Sequence, residues 1–247
     1  MWDKGLATAA LAVLGAKSQG FPNDRLWANV ADDVPLLVPA LLIVAAVFTL
    51  GPFAAGAQRS LVNRRTQLER QVFIQFGKMI REAGRVIDGF QFEDLGLHAW
   101  QVKRTGWLTG QKRLIRVATY RLGGNVVLRK FEPKRGQGVV GMCWERNAEA
   151  DFDVEGLVRK VSSESAFQTV RAAEGGPAVM NLSWQQFRDI RHRGAVFASP
   201  IRDDNDNFRG CLSLDAKNGY AALAGSAVPE LLNELASRMQ PHGFDEM

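Results

Sequence analysis

RGAVFASPIRDDNDNFRGCLSLDAK, Arg193 to Lys217, is the stretch on which the fold turns. Two runs rich in apolar residues, Ala195 to Ile201 and Phe208 to Leu214, flank the string Asp203-Asp204-Asn205-Asp206-Asn207. Asp and Asn tolerate left-handed backbone and bond to neighbouring amides, so the string reads as a turn and its flanks as a hairpin. The same string looks like half of a calcium loop. Started at Asp203 or at Asp204, however, it lacks both the glycine and the distal glutamate that such a loop requires.

Upstream, three more stretches are strand-like: Leu95 to Lys103, Leu114 to Leu122 and Asn125 to Phe131. All are rich in Val, Ile, Leu and aromatic residues, and Gly123-Gly124 between the last two is a hairpin signal. Glu155 to Ala173 carries Leu157, Val158, Val161, Phe167 and Val170 at helical spacing. Ser183 opens a short helix to Ile190, and a last helix runs from Ala227 to Met239 with Ser226 as N-cap and Pro229 in its first turn. The segment after Trp144, ERNAEADFDVEG, is polar and holds no apolar strand.

In this order the segments resemble a GAF domain, a relative of the PAS sensory fold. LGLHAWQVKR and RLIRVATYRL look like its first two strands, FEPKRGQGVVGMCW like its glycine turn and helix, and Arg193 to Lys217 like its closing hairpin. The match covers roughly Arg70 to Met239. It implies an antiparallel sheet of about six strands, with helices from both ends bundled on one face and a ligand pocket on the other. Residues on the uncovered face would line that pocket, and the candidates are Trp100, Tyr120, Phe131, Met142, Trp144, Phe197 and Ser199. Aromatic walls with a few polar groups suit a flat, nucleotide-like small molecule. A closed core used only for dimerisation is the other reading of the same residues.

Gly136-Gln137-Gly138-Val139-Val140-Gly141 is formally G-x-G-x-x-G. A dinucleotide site would need a second parallel strand ending in an acidic residue about 20 positions on, and the polar segment after Trp144 does not supply it. Cys143 and Cys211 lie in apolar surroundings with no activating base nearby, so they read as small core filler. Asn181-Leu182-Ser183 is a formal glycosylation sequon without functional weight if the domain is cytoplasmic. Cyclic-nucleotide relatives carry an N-K…F-x-x-x-D-E signature, which the ending PHGFDEM lacks, and no cysteine stands where a bilin would attach. Three scattered histidines offer no metal set. No metal, haem or bilin is implied, the cofactor is left open, and no acid, base and nucleophile converge to suggest an enzyme.

The N-terminal region has a different character. Pro35 to Ala57, PLLVPALLIVAAVFTLGPFAAGA, carries no charge and is long enough to span a bilayer as a helix, with a buried core helix as the alternative. Gly5 to Ala16 is a shorter apolar stretch that would serve as a second membrane leg, an interfacial helix or an unstructured start. Arg59, Arg64, Arg65 and Arg70 follow the span, which places the C-terminal part on the cytoplasmic side of the inner membrane. From Ser60 to Asp88 a helix is expected. Leu61 and Leu68 would face a partner in a dimeric coiled coil, and Phe73 to Ile87 would cover the sheet.

The expected fold class is therefore α+β, with N-terminal transmembrane segments and a linker helix before a GAF/PAS-like antiparallel sheet flanked by helices. Its parts are a membrane region (1–58), a juxtamembrane signalling helix (59–88), a GAF-like domain (89–240) and a tail (241–247). Across 247 residues, 31 Lys and Arg stand against 26 Asp and Glu. The charge balance is −1 over residues 1–58, +5 over 59–85 and +1 over 86–247. The basic excess is a stripe suited to anionic membrane lipid, and the nearly neutral remainder argues against nucleic acid. The function expected is a bacterial sensory protein that binds a small molecule or partner and acts on a separate output protein through a homodimer helix. A membrane-disrupting effector of a conflict system, gated by a bound signal, is the competitor.

Overall fold

The computed structural model describes residues 12–19, 21, 23, 25, 27–29 and 40 near the N-terminus, and residues 66–105, 110–123, 132–239 and 244 beyond them. The chain divides into two compact units, Met1–Asn63 and Arg64–Met247. In the first, residues 12–18 are helical and the Ser18 hydroxyl donates to the Gly15 carbonyl at 2.8 Å. The Trp27 indole donates to the Phe21 carbonyl at 2.9 Å.

The membrane part of the expected fold class is corrected here. Among the described residues no helix is long and apolar enough to cross a membrane. Residues 12–18 would rise only about 10 Å, a third of a hydrocarbon core. The 66–86 helix has the length but exposes Arg70, Lys78, Arg81 and Arg85, the pattern of a surface helix. The expected span at 35–57 lies, apart from Ala40, outside the described residues, as do Arg59, Arg64 and Arg65. The fold class that stands is α+β: a five-stranded antiparallel sheet with helices.

In the second unit the sheet order is β2-β1-β5-β4-β3, with β1 Leu95–Thr105, β2 Gln111–Arg121, β3 Ala150–Asp153, β4 Ala195–Arg202 and β5 Phe208–Ala216. Every pairing is antiparallel. The hairpin read from Arg193 to Lys217 is β4–β5, and its tip is held by Asp203. That carboxylate accepts from the Asn207 amide at 2.8 Å, the Asn205 amide at 3.0 Å and Arg209 Nε at 3.0 Å. The acidic string is thus consumed in turn-making. The expected strand Asn125 to Phe131 lies outside the described residues.

One face of the sheet is packed by helices from the two ends of the unit. Leu68, Val72, Phe76, Met79 and Ala83 form a stripe on the 66–86 helix, each nearly inaccessible. They meet Leu95, Leu97 and Ala99 of β1, Leu212 and Leu214 of β5, and Leu232, Leu235 and Ala236 of helix Val228–Met239 in one cluster. Leu68, at 2% exposure, is buried in this core and does not face a partner, whereas Phe73 at 56% is exposed. The nominal tail also belongs here: Phe244 is buried, and its carbonyl accepts from Gln101 Nε2 at 3.1 Å. Gly210 makes room for it, since a Cβ there would stand 2.1 Å from the Trp100 carbonyl and 2.7 Å from the Phe244 ring.

The other face is covered by the segment between β2 and β4. Helix Gly138–Arg146 leads into β3, then helices Val154–Lys160, Glu164–Glu174 and Trp184–Ile190. The single helix expected over Glu155 to Ala173 is broken after Lys160, because Ser163 caps a new start by accepting from the Ala166 amide. Phe167, Trp184 and Phe187 stack together with centroids 5.5 to 5.9 Å apart. The G-x-G-x-x-G turn serves packing: a Cβ at Gly141 would lie 2.2 Å from the Lys134 carbonyl. Its helix leads to a short strand antiparallel to β4, which a dinucleotide fold does not allow.

Candidate ligand site

Along β1, Leu95, Leu97 and Ala99 point to the helices, so Gly96, His98 and Trp100 point the other way. In β5 the matching residues are Cys211, Ser213 and Asp215. These two strands lie side by side in the sheet, which brings a polar group together under the covering helices. His98, Ser213 and Asp215 are each at most 4% exposed. Trp100 donates its indole N–H to Ser213 Oγ at 2.9 Å.

Asp215 is the hub. Arg121 Nη2 lies 2.9 Å from Oδ2, Arg193 Nε lies 3.6 Å from the same oxygen, and His98 Nε2 lies 2.5 Å from Oδ1. Burial alone would raise its pKa. The Arg193 charge, the His98 hydrogen bond and the Arg121 charge together outweigh burial and hold the carboxyl well below the usual carboxylate range. His98 is shifted downward, chiefly by burial, with repulsion from Arg193 and Arg116 adding to it against the pull of Asp215. The ring is therefore neutral near pH 7. A carboxylate only accepts, so Nε2 carries the proton, and Nδ1, 3.0 Å from Thr119 Oγ1, accepts from that hydroxyl. With both ring nitrogens engaged, His98 has none to offer a substrate as a base.

Arg116 reaches this face through an irregularity. Residues Leu114, Arg116, Ala118 and Tyr120 would share one face of a regular strand. The β1–β2 register instead passes from Ala99↔Ala118 to Trp100↔Arg116, leaving Val117 as the extra residue of a bulge. Ala118 and Tyr120 stay with the end helices, while Leu114 and Arg116 turn to the other side. The Arg116 guanidinium then sits 5.6 Å from the centroid of the Trp100 ring. Burial, followed by repulsion from Arg193, lowers its pKa from an ordinary arginine value.

Between these strands and their cover lies a cavity of about 550 Å³. Trp100, Arg116, Ser213 and Val196 line it from the sheet, and Gly138, Val139 and Val140 from the helix after the glycine turn. Met180, Gln186, Ile190 and Arg193 complete it, with Glu132 and Asp189 as exposed carboxylates of the lining. The cover is tied down by hydrogen bonds: the Gly138 amide donates to the Met180 carbonyl at 2.8 Å, and Gln137 Nε2 to Gln186 Oε1 at 2.8 Å. Such a volume accommodates a molecule of metabolite size.

Of the sequence candidates, Trp100 lines the cavity. Met142 and Trp144 belong to the apolar cluster on the same side, where Trp144 stacks on Phe208 at 6.3 Å. Three others lie on the helix-packed face: Tyr120 meets Phe73 edge-on at 5.4 Å, Phe197 stacks on Tyr220 at 5.7 Å, and Ser199 donates to Asn233 at 3.0 Å. The physical reasons are the bulge at Val117 and the odd-numbered inward parity of β4. Phe131 lies outside the described residues. Cys143 and Cys211 are buried free thiols of the cavity-side cluster, and burial pushes the Cys211 thiol up, with its hydrogen bond to the Cys143 thiol adding to this. The strand parity that gave Trp100 also gives His98, Ser213 and Asp215. Arg116 and Arg193 could not be found that way.

The fold and cavity define an α+β domain whose covered sheet face is polar. Comparison with solved structures gives a GAF domain of A. aeolicus NLH2, crystallised in an inactive state, at 13% identity and a TM-score of 0.37, covering 73% of this chain and 99% of that one. No family model matches the chain, and no curated protein matches it.

Proposed function

We propose that the Arg64–Met247 unit is a sensory or regulatory domain that holds a small molecule in the cavity beside Trp100. The observation that carries this is a hydrogen-bonded polar set on one sheet face, in which Trp100 and Ser213 line a 550 Å³ space and the buried His98 and Asp215 lie beside them on the same strands. Unliganded protein cores do not ordinarily spend so many polar groups on one sheet face, since each must be desolvated and paired. Binding rather than catalysis is favoured because His98 is committed at both nitrogens.

The relay to an output uses the same strand. Trp100 and His98 stand on the cavity side of β1, and their neighbours Leu97 and Ala99 pack into the cluster that includes Phe76 and Met79 of the 66–86 helix. A ligand that displaces β1 would be felt by that helix across one sheet thickness, and a partner protein reading the helix would supply the response. The test is native mass spectrometry of the full chain purified from its own host. A stoichiometric organic adduct is expected; a chain at its bare mass, unchanged on adding the host's small-molecule extract, would overturn the reading.

A further inference from the structure

We propose that the far end of the β1–β2 hairpin is a cationic arm that docks end-on against an anionic lipid surface, through Lys103, Arg104, Lys112 and Arg113. This goes beyond the ligand reading of the cavity and does not depend on what the cavity holds.

The first observation is where the arm lies. β1 pairs with β5 only from Leu95 to Gln101, whereas its ladder with β2 continues through Val102↔Leu114, Lys103↔Arg113, Arg104↔Lys112 and Thr105↔Gln111. These last four pairs form a two-stranded ribbon beyond the β1–β5 ladder, about 13 Å long at the ordinary rise of a strand. A ribbon of two strands is only marginally stable in water by itself.

The second observation is its charge. Two successive cross-strand positions set Lys or Arg directly opposite Lys or Arg, and like charges so placed destabilise a ladder. All four residues are exposed. Lys103, Arg104 and Lys112 make no ion pair among the described residues, and Arg113 meets the exposed Glu132 at 3.5 Å, a pair that water screens. Neither β1 nor β2 contains an Asp or Glu to offset them. Charge that merely protects a strand edge from pairing belongs on the outermost strand and works in either sign. Here half of it stands on β1, inside the sheet order, and all of it is positive. A negative partner relieves this repulsion.

The third observation is the distribution of the charge, which favours a plane as the partner. Strand alternation puts Lys103 and Arg113 on one side of the ribbon and Arg104 and Lys112 on the other. A surface met side-on would engage one of these pairs, whereas a plane met by the end of the ribbon lies within a Debye length of both. A nucleic acid calls for a basic stripe that follows its phosphates, and residues 86–247 have a balance of only +1.

The test is hydrogen–deuterium exchange of the full chain with two kinds of vesicle, phosphatidylcholine alone and phosphatidylcholine carrying about a third phosphatidylglycerol. Amides of residues 102–104 and 112–114 should be slowed by the anionic vesicles and not by the neutral ones. The slowing should vanish when salt is raised from about 0.1 M to about 0.5 M. Flotation then compares the native chain with the combined variant Lys103→Gln, Arg104→Gln and Lys112→Gln. Each cation near an anionic bilayer is worth about fivefold in partition, so the variant should lose about a hundredfold on the anionic vesicles and nothing on the neutral ones. Its thermal midpoint should be unchanged or raised, since repulsion is relieved. Exchange unaffected at the arm, equal slowing by both kinds of vesicle, or a variant bound as strongly as the native chain would each overturn the proposal. So would slowing by duplex DNA with none by vesicles, which would make the arm a nucleic-acid contact. Should the variant not fold, exchange on the native chain decides alone.

Discussion

The two faces of the sheet, compared along the paired strands β1 and β5, treat water differently. On the helix face, Leu97, Ala99, Leu212 and Leu214 meet Phe76, Met79 and Leu235 in an apolar cluster, with buried polar groups such as Gln75, Gln101 and Ser199 but no buried charge among the described residues. On the other face, the residues one step along the same strands are His98, Trp100, Ser213 and Asp215, and beside them a cavity is left. Alternation of strand side chains allows one sequence to write both surfaces at once. The first face supplies stability in the ordinary way, by area removed from water. The second spends stability on desolvated charge and unfilled volume, as expected of a surface kept for binding.

The contrast can be broken most severely from the dry side. Phe76→Ala should cost about 4 kcal/mol through lost burial and a cavity the helix cannot close. Chemical denaturation would read this, and any bound molecule should be retained while the chain is folded. A loss under about 1 kcal/mol would mean that the 66–86 helix is not integral to the core.

Next comes the hub of the polar face. Asp215→Asn leaves Arg121 and Arg193 without their shared carboxylate and should cost about 3 kcal/mol in the same assay. A neutral or stabilising outcome would show the charge cluster to be less buried than described.

The pH dependence is smaller and has a defined sign. His98 is held below its ordinary value of 6.5, so under 6.5 the unfolded chain takes up a proton that the folded chain refuses. The stability linked to His98 is complete above that pH and declines as pH falls, by at most about 1.4 kcal/mol per pH unit. Asp215, with its folded value lowered, contributes in the same direction but only as pH falls through 3.8 and below. Thermal midpoints measured from pH 7.5 down to pH 5 should therefore fall more steeply for the native chain than for His98→Gln; parallel curves would contradict the neutral, buried ring. The smallest effect expected is Trp100→Phe, about 1 kcal/mol for the indole hydrogen bond to Ser213.

Much of this contrast is legible before folding. The hairpin from Arg193 to Lys217 and the capped helix at Ser183 follow from pattern and capping alone and have the expected form, whereas Leu68, expected to face a partner, packs in the core. Strand β3 was hidden because its four residues, Ala150–Asp153, sit at a polar sheet edge where no apolar run is needed. Helix Tyr220–Ala224 is too short to carry a period. For the site, parity along β1 puts Trp100 on the cavity side, whereas Tyr120 lies on the helix side, because a single bulge at Val117 reverses which side β2 presents. Phe197 and Ser199 were misplaced for a simpler reason: β4 is apolar on both sides, so its pattern does not say which side faces the cavity. Arg193 lies in the turn before β4, where no periodicity applies.

Neighbouring residues of β4 provide the most direct test of the central claim, that the small molecule sits on the polar face. Val196 lines the cavity, and Phe197, next in sequence, is stacked on Tyr220 on the opposite side. Native mass spectrometry of Val196→Phe and Phe197→Leu, both prepared as full chains from the native host, sets one face against the other. The account predicts that Val196→Phe, which fills the cavity, is at its bare mass while Phe197→Leu keeps the adduct. An adduct retained by Val196→Phe and lost by Phe197→Leu would contradict it.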